Sequence, residues 1–393
     1  MRLVRGDKRL QLGFRLGCLI AAIAASTTNG CAANDRPSLK SAVDAAVQPV
    51  IAKYNVAGMA VGVTIAGKRY VFNYGVASRQ SAQPVTDKTL FELGSISKTF
   101  TATLAAYAQL RGNLTLSDPV SKYLPGLRGS AFGQVSLLNL GTHTPGGLPL
   151  QVPDGVHNMD QLMQYFDAWQ PTYAPGTYRT YANPSIGLLG FITAKSMNQD
   201  FTVLMEQRVF APLGMNNSFI NIPAGAMQNY AQGYTKDETP IRMAAGVLSD
   251  EAYGIKATAG DLLKFIDANM GEIPIEPQLQ RAITATHSGY FTAGPLTQDL
   301  IWEQYSYPVS LKTLLDGNAP EIIFGATPAT EIHPPLPPQD NAWINKTGST
   351  NGFGAYVAFV PYRKIGVVIL ANKNFPIDQR VTAAYKILTS IGD

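Results

Sequence analysis

Apolar residues recur at Leu39, Val43, Ala46, Val47, Val50 and Ile51, a spacing that predicts an amphipathic helix over residues 39–54. The period then changes. Residues 59–66 and 69–77 read as two strands around Ala66-Gly67-Lys68, a hairpin. After Gly94 a run of good helix formers, residues 101–110, predicts a buried helix opened by a turn. From about 112 to 300, helical segments are separated by Pro/Gly-rich loops such as Thr144-Pro145-Gly146-Gly147-Leu148-Pro149 and Tyr173-Ala174-Pro175-Gly176. Long loops on a rigid frame are where binding sites tend to lie. Strand text returns over 343–348, 355–360 and 365–370, with a turn at 361–364, and predicts an antiparallel meander. Residues 379–391 predict a closing amphipathic helix.

The simplest assembly is a mixed α/β (α+β) fold. One antiparallel sheet is built from both ends of the chain and covered by the terminal helices, with a mostly helical lobe inserted. The expected boundaries are a sheet lobe from about 34–110 and 300–393, and a helical lobe from about 111–299, in one domain spanning 34–393. Sites commonly lie between two such lobes.

The first 33 residues change the reading of charge. Arg2, Arg5, Lys8, Arg9 and Arg15 precede a short apolar run, residues 16–25, and small residues follow, with cleavage expected after Ala25 or Ala33. This is the layout of a secretory signal, and the run is too short for a stable membrane span. Five basic side chains against one acidic, Asp7, give the leader a surplus of four, the same as the whole chain. The remainder is near neutral, so the basic balance says nothing about nucleic acid. No basic patch with interleaved aromatics is present. Both cysteines, Cys18 and Cys31, fall in the leader, which leaves the remainder no disulfide and no thiol nucleophile if cleavage follows Ala33. Cys31 is an alternative lipidation site, although Thr28-Asn29-Gly30 matches an apolar lipobox poorly. His143, His157, His287 and His333 form neither H-x-H nor H-E-x-x-H, so no metal is expected, and G-x-S-x-G is absent.

Ser95-Ile96-Ser97-Lys98 is the first candidate for chemistry. Three positions apart at the start of a helix, the hydroxyl and the amine share one face. A serine needs a neighbouring base before it attacks, and S-x-x-K supplies a neighbour. Alone the motif is weak, because a serine cap and a solvated lysine give the same text. Tyr181-Ala182-Asn183 and Lys346-Thr347-Gly348 alter that weighting. Singly, each has a bland reading as a packed aromatic, a turn before Pro184, or a strand-edge charge. The order S-x-x-K, Y-x-N, K-T-G on one chain is far rarer.

Here the chain resembles the class C serine β-lactamases, within the larger penicillin-recognising fold. The resemblance runs over the whole region after the leader. It is carried by Phe91-Glu92-Leu93-Gly94-Ser95, Gly146-Gly147-Leu148-Pro149-Leu150-Gln151, Tyr181-Ala182-Asn183-Pro184-Ser185-Ile186-Gly187 and Glu251-Ala252-Tyr253-Gly254, and by 346–354 and 370–374. Tyrosine in the middle motif, in place of S-D-N, separates class C from class A.

The resemblance implies a catalytic group of Ser95, Lys98, Tyr181, Lys346 and Ser349. Tyr181, with Lys98, would take the Ser95 proton, pass it to the leaving ring nitrogen and later help activate water. The N–H groups of Ser95 and Ser349 would hold the oxyanion. A phenol titrates near pH 10, so Tyr181 serves as a base only if Lys98 and Lys346 favour its anion. Substrate-binding roles are implied for Gln151 and Asn183 on the acylamino group, Tyr253 as a wall, Lys346 and Thr347 on the carboxylate, and Gly348 as a close-approach position. Asn374 and Arg380 would frame the carboxylate end.

Departures from the family pattern bear on spectrum. Ile377 stands where an asparagine is usual. Asp299 and Ile301 replace two glycines, which predicts a changed backbone or side-chain pocket there. His143 stands for a tyrosine near the pocket rim.

The function expected is hydrolysis of cephalosporins and penicillins by a monomeric periplasmic enzyme, with no cofactor, no nucleic-acid partner and no membrane span. A DD-peptidase or an esterase on the same frame is the alternative, because either keeps Ser95 and Lys98. A β-lactam sensor that stays acylated is a third reading. A leader-bearing chain with no membrane span and no second domain argues against it.

Overall fold

The computed structural model describes residues 35–391, with side chains from Ser38 onward. The leader, its two cysteines and its cleavage site lie outside the described residues. Ten strands form one sheet: β1 (Gly58–Ile65), β2 (Lys68–Gly75), β3 (Tyr178–Thr180), β4 (Gly289–Ala293), β5 (Leu296–Gln298), β6 (Glu303–Ser306), β7 (Ala326–Leu336), β8 (Ala342–Ser349), β9 (Gly354–Val360) and β10 (Ile365–Ala371). Their spatial order is β2-β1-β10-β9-β8-β6-β5-β4-β7-β3, with every pairing antiparallel. The two ends of the chain meet where β1 pairs β10, Met59 opposite Ala371 and Ile65 opposite Ile365.

Both faces of the sheet's centre are covered, which is why its strands read as unbroken apolar runs. Along β10, Val367 and Ile369 point to one core, and Val368 and Leu370 to the other, as the two-residue period requires. The first face packs on helix α1 (Asp35–Tyr54) through Leu39, Val43 and Val47, and on the C-terminal helix (Ile377–Ser390) through Val381, Ala384 and Ile387. The second carries the larger core and, within it, helix α2 (Ser97–Leu110).

Helix α2 is buried all round from Ser97 to Ala108, so its polar side chains must find partners inside the protein. Thr99 and Thr103 donate to the carbonyls of Ile96 and Thr99, and Thr101 donates to Glu251 O at 2.6 Å. Phe100 stacks on Phe265 at 3.9 Å.

The middle of the chain gives more to the sheet than its pattern predicts. β3, β4 and β5 are three to five residues long, too short for a period to register. β7 carries three prolines among mostly exposed residues and has no strand signature at all. Among the described residues no helix is long and apolar enough to cross a membrane.

Candidate active site

Ser95 lies in a 3₁₀ turn, Gly94–Ile96, that opens directly into α2, the turn-then-helix arrangement the sequence predicts. Two glycines set the position of that turn. Gly94 sits at φ +53°, and a Cβ there would lie 2.6 Å from the backbone N of Ser349. A Cβ on Gly348 would lie 2.0 Å from Leu93 O. The nucleophile turn and the end of β8 therefore touch through main chain, which brings the neighbourhoods of the Ser95 and Ser349 amides together.

One turn into the helix, Lys98 is fully buried. Its Nζ donates to Ser95 Oγ at 2.8 Å and to Ala252 O at 2.9 Å. Burial brings the Lys98 amine down to about 8; the nearby Tyr181 opposes that fall and Lys346 adds to it. Tyr181 lies in the loop between β3 and the helix Asn183–Ser196, which begins with Pro184 in its first turn, a favoured place for proline. The ring is 4.9 Å from Lys346 Nζ and 5.3 Å from Lys98 Nζ. Burial alone raises a phenol. Lys346, Lys98 and the Ser95 hydroxyl outweigh burial and the Glu303 charge, and hold Tyr181 below its ordinary value.

A second tier fixes these groups. Arg179, on β3, is almost fully buried and donates to Gln298 Oε1 at 2.6 Å, Glu303 Oε1 at 2.7 Å and Ile322 O at 2.9 Å. Glu303 Oε1 is also 3.5 Å from Lys346 Nζ. His143 does not stand at the rim, where the sequence reading puts it. It is wholly buried against Tyr181, with ring centres 4.3 Å apart, and its Nδ1 accepts from Ala182 N. Burial and the charges of Arg179, Lys98 and Lys346 push His143 far below its usual range, so the ring is a neutral spacer.

A cleft of about 550 Å³ opens over Ser95. Of the sequence-predicted residues, Ser95, Gln151, Tyr181, Asn183, Tyr253, Lys346, Thr347, Ser349 and Asn374 line it. Asn183 donates to Gln151 Oε1 at 2.8 Å, which joins two loops into one polar wall. Lys98 and Gly348 lie beneath the surface of the cleft. Arg380 is also beneath it: fully buried, it donates to Gly348 O, Ser349 Oγ and Asn374 Oδ1 at 2.7, 2.9 and 2.5 Å. Both of its terminal nitrogens bond protein acceptors, so the guanidinium supports the cleft lining from behind and is not part of that lining. Ile377 lines the cleft beside Asn374.

Sequence reasoning missed Ile241, Arg242, Met243 and Ala244 on one wall and Ile323 and Phe324 on another. These segments carry no motif. The one available signal is the apolar run Ile322-Ile323-Phe324, whose Phe324 proves 66% exposed.

The two former glycine positions behave differently. Ile301 keeps the left-handed region at φ +72°, a conformation costly for a β-branched residue, and its N–H is tied to Gly141 O at 3.0 Å. Asp299 is wholly buried, and neither carboxyl oxygen has a hydrogen-bond partner among the described residues. Burial, and then the charge of Glu303, push it well above the usual carboxylate range, so it is held as the neutral acid.

Comparison with known proteins adds an independent line. The family profile described as β-lactamase matches residues 43–390. A β-lactamase of Pseudomonas fluorescens is 49% identical over 353 residues, 90% of this chain and 99% of its own. A crystal structure of a class C β-lactamase in complex with cefoxitin superposes with a TM-score of 0.88 at 54% identity, covering 91% of this chain and 99% of that one. The structure of a D-alanine carboxypeptidase AmpC from Burkholderia cenocepacia superposes with a TM-score of 0.87 at 57% identity, over 90% and 99%.

Proposed function

The chain belongs to the β-lactamase family, in its class C branch, and from that premise we propose that Ser95 opens the lactam ring of cephalosporins and penicillins and carries the acyl group. It is a serine hydrolase, and its activity is β-lactam hydrolysis that confers resistance. The observation that carries the residue assignment is one contact, Lys98 Nζ at 2.8 Å from Ser95 Oγ, beside a Tyr181 ring flanked by Lys98 and Lys346. Lys98 donates to Ser95 Oγ, so the serine proton is free to point elsewhere. Tyr181 is assigned as the acceptor: its buried hydroxyl makes no other hydrogen bond among the described residues, and Lys346 and Lys98 lower it against the rise that burial imposes.

In acylation, Ser95 Oγ attacks the lactam carbonyl carbon while its proton passes to the Tyr181 oxygen. The tetrahedral oxyanion is held by the N–H groups of Ser95 and Ser349. The C–N bond then breaks, and Tyr181 returns the proton to the ring nitrogen. In deacylation, water attacks the ester carbonyl, gives its proton to Tyr181, and Ser95 leaves with a proton from the same site. Gln151 and Asn183 hold the acylamino group and Tyr253 walls it. Lys346, Thr347 and Asn374 take the ring carboxylate, and Arg380 acts by fixing Asn374 and Ser349.

The leader's basic, apolar and small regions support secretion to the periplasm, where the processed chain works as a monomer without nucleic acid. Intact-protein mass spectrometry during turnover of a cephalosporin tests the scheme. Repeated cycles through an adduct on Ser95, lost in Ser95→Ala, support it. Stoichiometric acylation without product release favours a DD-peptidase or a sensor instead.

A further inference from the structure

The lining of the cleft is mixed in charge. It includes three apolar side chains, Ile323, Phe324 and Ile377. Further lining comes from a single stretch, residues 240–253, which contributes Ile241, Arg242, Met243 and Ala244 at one end and Tyr253 at the other. Ile241 closes on the turn beyond β8, where a Cβ on Gly352 would lie 2.8 Å from its Cγ2. Arg242 therefore belongs to the same lining stretch as Tyr253, the residue assigned to wall the acylamino group.

The Arg242 guanidinium is held rigidly. It stacks on the Tyr230 ring at 4.1 Å, its Nε donates to Ala231 O at 3.1 Å, and its Nη2 donates to Tyr230 O at 2.5 Å. Those two bonds use part of its five N–H donors. Both acceptors are neutral carbonyls, and among the described residues Arg242 forms no ion pair with a carboxylate. The nearby Glu92 is buried and engaged through Oε1 by the Tyr230 hydroxyl and Met243 N. A fixed cation on the cleft lining, with spare donors and no direct ion pair among the described residues, is preorganised for an anion, because little rotamer freedom is left to lose on binding.

We propose that Arg242 is a specificity-determining residue, the receptor for a carboxylate or sulfonate carried on the acyl side chain of the β-lactam. The inference rests on the hydrolase reading above and names a substrate class within it. Carbenicillin and benzylpenicillin differ by one side-chain carboxylate, so the ratio of their kcat/KM values isolates the contact and cancels shared effects on the loop.

The ratio is measured for wild type, Arg242→Gln and Arg242→Lys at low and high sodium chloride. We expect Arg242→Gln to lower the carbenicillin-to-benzylpenicillin ratio about tenfold, the scale of one charge-assisted hydrogen bond. Arg242→Lys restores part of it, and salt lowers the ratio in wild type and not in Arg242→Gln. A ratio unmoved by Arg242→Gln, including the case where both substrates slow equally, overturns the inference and leaves hydrolysis standing. If wild type turns over a cephalosporin but neither penicillin, this inference falls and hydrolysis stands; if it turns over no β-lactam, the hydrolase reading falls with it.

Discussion

Gly94 and Ser349 meet backbone to backbone, so closely that a single methyl on Gly94 would stand 2.6 Å from both the N and the O of Ser349. The oxyanion site assigned to Ser95 N and Ser349 N depends on this approach. Gly94→Ala must either separate the turn from β8 or strain a residue already at φ +53°. We expect kcat to fall by about 10²–10³, the cost of one lost oxyanion donor, with stability lowered by about 1–3 kcal/mol. Steady-state kinetics beside urea unfolding check both, and full activity would remove the close approach from the mechanism.

Tyr181→Phe keeps the ring against His143 and the lysines but removes the oxygen that carries the proton. Acylation and deacylation each need that transfer, so both should slow, by about 10²–10⁴. Stopped-flow acylation with a chromogenic cephalosporin, followed by mass-spectrometric decay of the adduct, separates the two steps. If only one slows, the single-base scheme is wrong.

Lys98 gives a pH signature in stability as well as in rate. Burial lowers the amine from 10.5 to about 8 in the folded enzyme. Between those values the unfolded chain keeps the proton that the folded protein has released, so stability rises with pH relative to a chain with no titrating group there. Below pH 8 both states hold the proton and the difference is flat. Wild type should therefore gain on Lys98→Met by up to about 3 kcal/mol as pH goes from 8 to 10.5. Urea unfolding of both proteins across that range measures it, and a constant difference contradicts the burial argument.

The sequence made the site more legible than the frame around it. Ser95, Lys98, Tyr181 and Lys346 announce themselves because their chemistry demands those residue types in short fixed spacings. The β8–β10 meander is equally plain, since strands buried on both faces leave nothing but apolar residues. β7 and the short β3 are invisible because their hydrogen bonds are tertiary and their side chains largely exposed or mixed. His143 shows the limit of position by analogy. A residue placed on the rim by pattern is sealed behind Tyr181, since only the packing of the 141–144 turn decides which way it faces. Arg242 carried no signal, because a lone arginine in a loop gains meaning only from the cleft it lines.

Ile377 offers the sharpest test of the carboxylate end. Arg380 Nη2 holds Asn374 Oδ1 at 2.5 Å, which turns the Asn374 amide nitrogen away from the guanidinium as a donor for substrate. Ile377 lies beside it on the cleft wall with no polar atom to offer. Ile377→Asn should add a second amide to the carboxylate site. A contact made equally in ground and transition states changes KM and leaves kcat, so KM for a cephalosporin should fall about 3–10-fold with kcat within about twofold. The same change removes apolar surface from a cleft that Ile323 and Phe324 also line, so a cephalosporin with a bulky apolar leaving group should gain less than one with a small one. Steady-state parameters for the two cephalosporins decide the matter, and an unaltered KM for both would show that the substrate carboxylate does not reach position 377.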